Sequence, residues 1–191
     1  MNIRHNLTTA LLAVLVLLSL SACKISTSHS DKGGKEDVDI KTPLGSISVH
    51  TGENDPKATG LALYPGAEPR KDSDGEGGAN VNVSSSMFGV KVVALKYRSA
   101  DPPEKVLAFY RKEMARYGKV LDCTGGFSLG YRRHENDSEV TCDNSHTGRE
   151  YHEVLRVGTE NNQRDLAIRP SGGGSEFAIV YVRAWDDKST M

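Results

Sequence analysis

Thiols, aromatic rings and long apolar runs are all scarce in this chain. Its 191 residues include three cysteines, one tryptophan, four phenylalanines and seven tyrosines, and no two cysteines stand at C-x-x-C spacing. A zinc ribbon or a thioredoxin-like redox centre, each needing closely spaced thiols, is therefore excluded. None of the six histidines stands in an H-x-E or H-E-x-x-H frame, so the usual catalytic zinc signatures are missing as well. Nor is there an excess of one charge. Lys and Arg number 24 against 25 Asp and Glu, a net charge of −1, which argues against a nucleic-acid partner. The apolar run from Ala10 to Leu18 falls well short of the roughly 20 residues that span a bilayer.

What is present begins with that run. Arg4 and His5 precede it and Leu20-Ser21-Ala22-Cys23 closes it. A charged region, an apolar region and a small-residue cleavage site in this order mark a secretory signal peptide over residues 1–22. The cysteine directly after the cleavage site makes the stretch resemble the lipobox of bacterial lipoproteins. That resemblance implies a diacylglyceryl thioether on Cys23, acylation of the new N-terminus and residence in the bacterial cell envelope. One acyl chain binds a membrane only marginally, whereas two or three hold firmly, at about 0.8 kcal/mol per buried methylene. Lys24 follows where an aspartate would signal retention, which by similarity to enteric sorting implies the periplasmic face of the outer membrane. Removing residues 1–22 leaves 169 of the 191 residues and, with Arg4 gone, takes the net charge from −1 to −2. A chain of this length fits one domain with a substantial core.

Export places Cys123 and Cys142 where disulfides persist, and with Cys23 assigned to lipid these two are expected to be bridged. From Cys23 to Asp37 the sequence is polar, offers nothing to pack, and predicts a disordered tether able to hold the domain roughly tens of Å off the bilayer. Residues 38–59 predict a β-hairpin and a loop, because apolar and polar residues alternate on both sides of Pro43-Leu44-Gly45. The hairpin either packs on the main domain or stands apart as a flap.

The main domain is expected over residues 60–187. An extended segment runs to the Tyr64-Pro65-Gly66 turn, a charged loop covers 71–78, and Asn80–Ser84 and Gly89–Arg98 predict strands. The second of these is apolar on both faces, as a central strand would be. From Pro102 to about Tyr117 the spacing predicts a helix, with Asp101 as N-cap, Pro102 at N1, Glu104 at N3 and Gly118 as the left-handed stop. Its buried face would hold Val106, Leu107, Tyr110, Met114 and Tyr117. Strands at Cys123 and Cys142, then at Tyr151–Val157, Asp165–Arg169 and Glu176–Ala184, complete the pattern, with turns at Asn161-Asn162 and Ser171–Ser175. The order argues an α+β fold in which an antiparallel β-sheet carries one main amphipathic helix on a face.

Ala62-Leu-Tyr-Pro-Gly-Ala67, the stretch Asp101 to Met114, Val157 to Gln163 and Phe177 to Val182 resemble a group of uncharacterised secreted proteins and lipoproteins of soil bacteria. The similarity covers most of residues 38–184. It implies an architecture and no activity.

Each segment able to carry chemistry departs from the pattern that chemistry requires. Asp72-Ser-Asp74-Gly-Glu76-Gly77 opens like a calcium loop, but Glu76 and Val83 stand where Asp or Asn and then Glu are needed. Gly172-Gly173-Gly174 precedes neither a Lys-Ser/Thr pair nor a helix, and reads as a turn. Ser84-Ser85-Ser86 has no G-x-S-x-G frame around it. The helix's basic outer face, Lys105, Arg111, Lys112 and Arg116, could meet anionic head groups or simply be solvated. No catalytic residue, metal ligand or cofactor is expected. The sequence favours a non-catalytic envelope module that binds another protein or a glycan through an apolar or aromatic patch around Tyr64, Phe88 or Trp185. The alternative is a small-ligand or metal-binding protein or enzyme using His134, Glu135, Asp137, Asp143, His146 and His152, in the region from Cys123 to His152.

Overall fold

A computed structural model describes residues 23–30, 35–52, 55–70, 77–124, 138–142 and 153–186. They hold ten strands: β1 (Lys24–Ser30), β2 (Lys35–Thr42), β3 (Gly45–Thr51), β4 (Glu68–Pro69), β5 (Gly78–Ser85), β6 (Phe88–Ser99), β7 (Leu121–Thr124), β8 (Glu153–Thr159), β9 (Asn162–Ser171) and β10 (Gly174–Asp186). The helix α1 (Pro103–Met114) lies between β6 and β7. All pairings are antiparallel, in the spatial order β1-β2-β3-β5-β6-β10-β9-β8-β7, with β4 bonded to the far end of β6. The fold is thus α+β and mostly β, with one helix on a face of the sheet. The signal segment lies outside the described residues.

The core follows from the strand period of two. Val93, Leu95 and Tyr97 of β6 face the same way as Phe177, Ile179 and Tyr181 of β10, Leu166 and Ile168 of β9, and Leu155 and Val157 of β8. Onto this face α1 lowers Val106, Leu107, Tyr110 and Met114, the residues its 3.6-residue period selects. Each such aliphatic side chain stabilises the fold by about 1.5–3 kcal/mol on leaving water. The Phe177 ring packs between Tyr97 and Tyr110, with both centroids 5.6 Å away.

Three local expectations are corrected. Asp101 does not cap the helix; Pro102 is the N-cap residue and makes no side-chain cap bond. Pro102 and Pro103 have no amide to satisfy, and the Asp101 carboxylate instead accepts from Tyr64 Oη and Lys105 Nζ, each at 2.8 Å. Those two bonds, Lys105's the larger effect, hold its pKa below the ordinary carboxylate value, while burial and then Asp101 push the Tyr64 phenol up. At the other end, α1 passes into a 3₁₀ turn over Ala115–Tyr117, and Gly118 adopts φ 132°, ψ −161° rather than the left-handed helical conformation.

The third correction is the largest. Where a disordered tether is expected over residues 23–37, Lys24–Ser30 is a strand paired with β2 from Lys24↔Lys41 to Ser30↔Lys35. Composition reports what side chains can bury, but an edge strand is held by its backbone. The outer N–H and C=O groups of β2 offer an unfilled ladder, and a polar segment occupies it as readily as an apolar one. The hairpin does not stand apart either, since β3 pairs with β5 from Gly45↔Ser85 to Thr51↔Ala79.

Cys123 of β7 is bonded to Cys142, with Cα atoms 5.4 Å apart and a sequence separation of 19. Val140 N–H donates to Gly158 O and Glu139 bridges Thr159, so the bond pins residues 138–142 beside β8. Replacing Cys142 with serine should lower the unfolding free energy by about 3 kcal/mol. Urea unfolding with and without reductant checks this: reductant should destabilise the native chain and leave the variant unchanged.

Candidate interaction surface

The sheet has two unlike halves. β6, β8, β9 and β10 are covered by the helix layer, whereas among the described residues of β2, β3 and β5 none is fully buried. Among the described residues, those strands extend the sheet beyond the helix with no second layer on them. Register sorts their side chains. On the face opposite the helix, Ile25, Ile40, Ile47, Val83 and Val90 form one row across five neighbouring strands. Val38, Val49, Val81, Val92 and Val182 form the next. The other face carries Lys41, Ser46 and Ser84 in one row and Asp39, Ser48, Asn82 and Lys91 in the next. His50 Nδ1 lies 2.9 Å from Asp37 Oδ1 on that polar side. A sheet with one polar and one apolar face normally turns the apolar one to a core.

Apolar residues also collect at one end of this extension. Because Gly45 pairs with Ser85, the β2–β3 turn holding Leu44 lies beside the β5–β6 turn holding Met87. Leu44 is 81% exposed, Met87 67%, and Phe88, the first residue of β6, 41%. Ile25 and Ile47, at 67% and 40%, continue the patch on the apolar face. Ser85 holds the second turn, its hydroxyl accepting from Met87 N and Phe88 N and donating to Phe88 O. Trp185 lies one residue pair inward, opposite Gly89, where a Cβ would overlap its indole ring. Of the three aromatic residues singled out in the sequence, Phe88 and Trp185 thus both lie at this end, on opposite faces of the sheet. Tyr64 does not; it is 8% exposed and belongs to the core.

The exposed cysteine Cys23 sits at this same end, since Lys24 pairs with Lys41, the residue before Thr42 at the turn. The opposite end is polar. There Glu68, Arg98, Ser99, Ser175, Glu176 and the Ser171–Gly174 turn line a cleft of about 520 Å³. Its groups are committed to one another. Arg98 binds Glu68 at 2.8 Å, and Glu176 accepts from Arg169 at 2.7 Å with Arg70 at 3.2 Å. Arg169, and then Arg70, hold the Glu176 carboxyl below its ordinary pKa. Ser175 Oγ donates to Asp101 O. A nucleophile activated by a neighbouring base is not assembled among these residues.

A buried polar cluster lies on the apolar face under β8 and β9. Arg156 donates Nε to Asp165 Oδ1 at 3.0 Å, Nη2 to Gln163 Oε1 at 2.8 Å and Nη1 to Thr141 O at 2.9 Å. Asp165 Oδ2 has no partner among the described residues, and burial pushes the carboxyl up to about 6 despite Arg156. On the helix face Arg164 lies between Tyr117 and Tyr181, 3.6 and 4.6 Å from the ring centroids, and donates to Thr59 O. Both clusters tie irregular segments to the sheet.

The other residues singled out in the sequence fall as follows. His134, Glu135, Asp137, Asp143, His146 and His152 lie outside the described residues, as do residues 72–76 of the calcium-like segment. No group of three metal-binding side chains occurs among the described residues. Gly172 and Gly173 form the β9–β10 turn with φ of 57° and 88°. Ser84 Oγ is bonded to Ser46 Oγ at 2.9 Å. On the helix, Lys105, Arg111 and Arg116 are paired with Asp101, Asp122 and Glu113, so that face is largely self-neutralised. One spacing deserved notice in the sequence: Gly126-Phe-Ser128-Leu-Gly130 matches G-x-S-x-G directly after β7. That motif acts at a strand-to-helix turn of a parallel sheet, whereas β7 is the edge of an antiparallel one, and residues 125–130 lie outside the described residues. Compared with known proteins, the chain matches no family model, no curated protein and no solved structure.

Proposed function

We propose that this protein is a bacterial envelope lipoprotein, anchored through Cys23 to the periplasmic face of the outer membrane, that works by binding another envelope protein rather than by catalysis. The observation that carries the reading is the partly exposed Ile/Val face of the β1–β2–β3–β5 extension, on which no described residue forms a second layer, a surface of the kind that marks interaction sites. An aliphatic face without aligned donors or acceptors suits an aliphatic partner surface better than a glycan, which presents hydroxyls. The similarity of residues 20–23 to a lipobox supports the anchor.

Two measurements test this. Mass spectrometry of the protein from its own envelope should find Cys23 lipidated, and Cys23→Ser should move the chain from the membrane to the soluble fraction. A photo-crosslinking residue at Ile47 or Val83 should capture one discrete partner in cells, lost with Cys23→Ser, while the same residue at Lys112 on the helix should not. Equal capture from all three positions, or none from Ile47 and Val83, overturns the reading.

A further inference from the structure

The strand β1 leaves no slack between Cys23 and the sheet, and this fixes what else stands at the level of the anchor. Adjacent strands lie about 4.8 Å apart, so from Cys23 on β1 to the β5–β6 turn is only about 15–20 Å along the sheet end. Within that span the chain exposes Leu44, Met87 and Phe88 at neighbouring turns. Behind them stand Lys24 and Lys41, directly paired, and two residue pairs further inward Lys91 and Arg183. Among the described residues of β1, β2, β3, β5, β6 and β10, Asp186, opposite Phe88, and Asp39 are the carboxylates of this end, two against these four cations, and Glu160 stands on the β8–β9 turn, whose Asn161 O accepts from Ala184 N. Trp185 shares the row of Lys24 and Lys41. Apolar tips, then a tryptophan and lysines, then more cations is the order in which a bilayer presents acyl chains, interface and anionic phosphates.

We propose that this end of the sheet is a membrane-docking edge, in which Leu44, Met87 and Phe88 enter the lipid surface beside Cys23 while Lys24 and Lys41 meet anionic phosphates. The proposal takes the position of the anchor from the reading above. Its consequence is orientation. A single lipid on a flexible tether leaves a domain free to tumble, whereas anchor and turns together stand the sheet upright. The apolar face is then held perpendicular to the membrane and open to a partner, with the arginine- and glutamate-lined end pointing away.

The test uses two features of the chain itself: its one tryptophan lies at the docking edge, and Cys23 is the free cysteine beside the bonded Cys123–Cys142 pair. The mature chain is coupled through Cys23 to maleimide-bearing phospholipid in vesicles of phosphatidylethanolamine and phosphatidylglycerol, so tethering does not depend on native lipidation. Lipids brominated near the top of the acyl chain should quench Trp185 and accompany a blue shift of its emission. The triple variant Leu44→Ser, Met87→Ser, Phe88→Ser, tethered to the same extent and with an unchanged thermal unfolding curve, should lose both signals. Absence of quenching in the native chain, or equal quenching in the variant, overturns docking. Finding Cys23 unmodified in cells while quenching holds would instead remove the anchor reading and leave docking standing.

Discussion

Replacing Arg156 with leucine should destabilise the fold by about 3–5 kcal/mol at neutral pH, and by distinctly less near pH 5. Asp165 is 1% exposed and its carboxyl has Arg156 as its ion-pair partner. A buried charge robbed of its partner costs more than the pair contributed, because the desolvation already incurred is no longer offset. The pH dependence follows from the direction of the Asp165 shift. Burial holds the folded-state pKa at about 6, above the roughly 3.9 of an unfolded chain, so between these values the folded protein keeps a proton that the unfolded one releases. Stability from this group is therefore greatest below about pH 4 and declines as pH rises through 6, by about 3 kcal/mol in all. Without the guanidinium the carboxyl must rise further, which deepens the loss at pH 7 and relieves it under acid. Asp165→Asn should flatten the same slope, since nothing titrates. Urea unfolding across pH 4–7 gives the answer directly. An Arg156→Leu penalty independent of pH would mean that the carboxyl is reached by water and the pair is a surface contact.

That cluster was not legible in the sequence, and the reason separates what one chain of letters shows from what it hides. The helix could be read because Val106, Leu107, Tyr110 and Met114 are all within a few turns of one another, and their spacing is itself the structure. The central position of β6 was readable from Val90 to Tyr97 for the same reason: two-sided apolarity is local. Arg156 and Asp165 look like ordinary surface charges until β8 and β9 pair in one register and place them side by side. Leu44 and Met87 are likewise 43 residues apart by their numbers and meet only because Gly45 pairs with Ser85. β1 was missed because an edge strand advertises itself through backbone groups that every residue shares. The Gly89–Trp185 contact, which needs a residue without Cβ on one strand and a ring on its neighbour, could be recognised only once β6 and β10 were aligned.

The division of the sheet into a covered half and a single-layer half has a measurable consequence. Phe177→Ala removes a ring that is buried between Tyr97 and Tyr110, leaving a cavity that the helix above cannot close, at a cost of about 3–5 kcal/mol. Val81→Ala, in the centre of the extension, removes a half-buried aliphatic side chain that retains contact with water and has no layer above it among the described residues. Only its cross-strand contacts with Val49 and Val92 are lost, about 1 kcal/mol or less. Denaturant unfolding of the two variants should therefore differ several-fold in effect, although both residues sit mid-strand in the same sheet. If Val81→Ala were as damaging as Phe177→Ala, the Ile/Val face would be a second core already covered, and no partner would be needed to explain it. If the difference holds, the residues on β1, β2, β3 and β5 of the rows from Ile25 to Val90 and from Val38 to Val182 contribute little to folding the chain on its own. Their aliphatic character then needs a reason outside the folded monomer, and a surface that can be altered without unfolding the protein is one on which binding can be tested residue by residue.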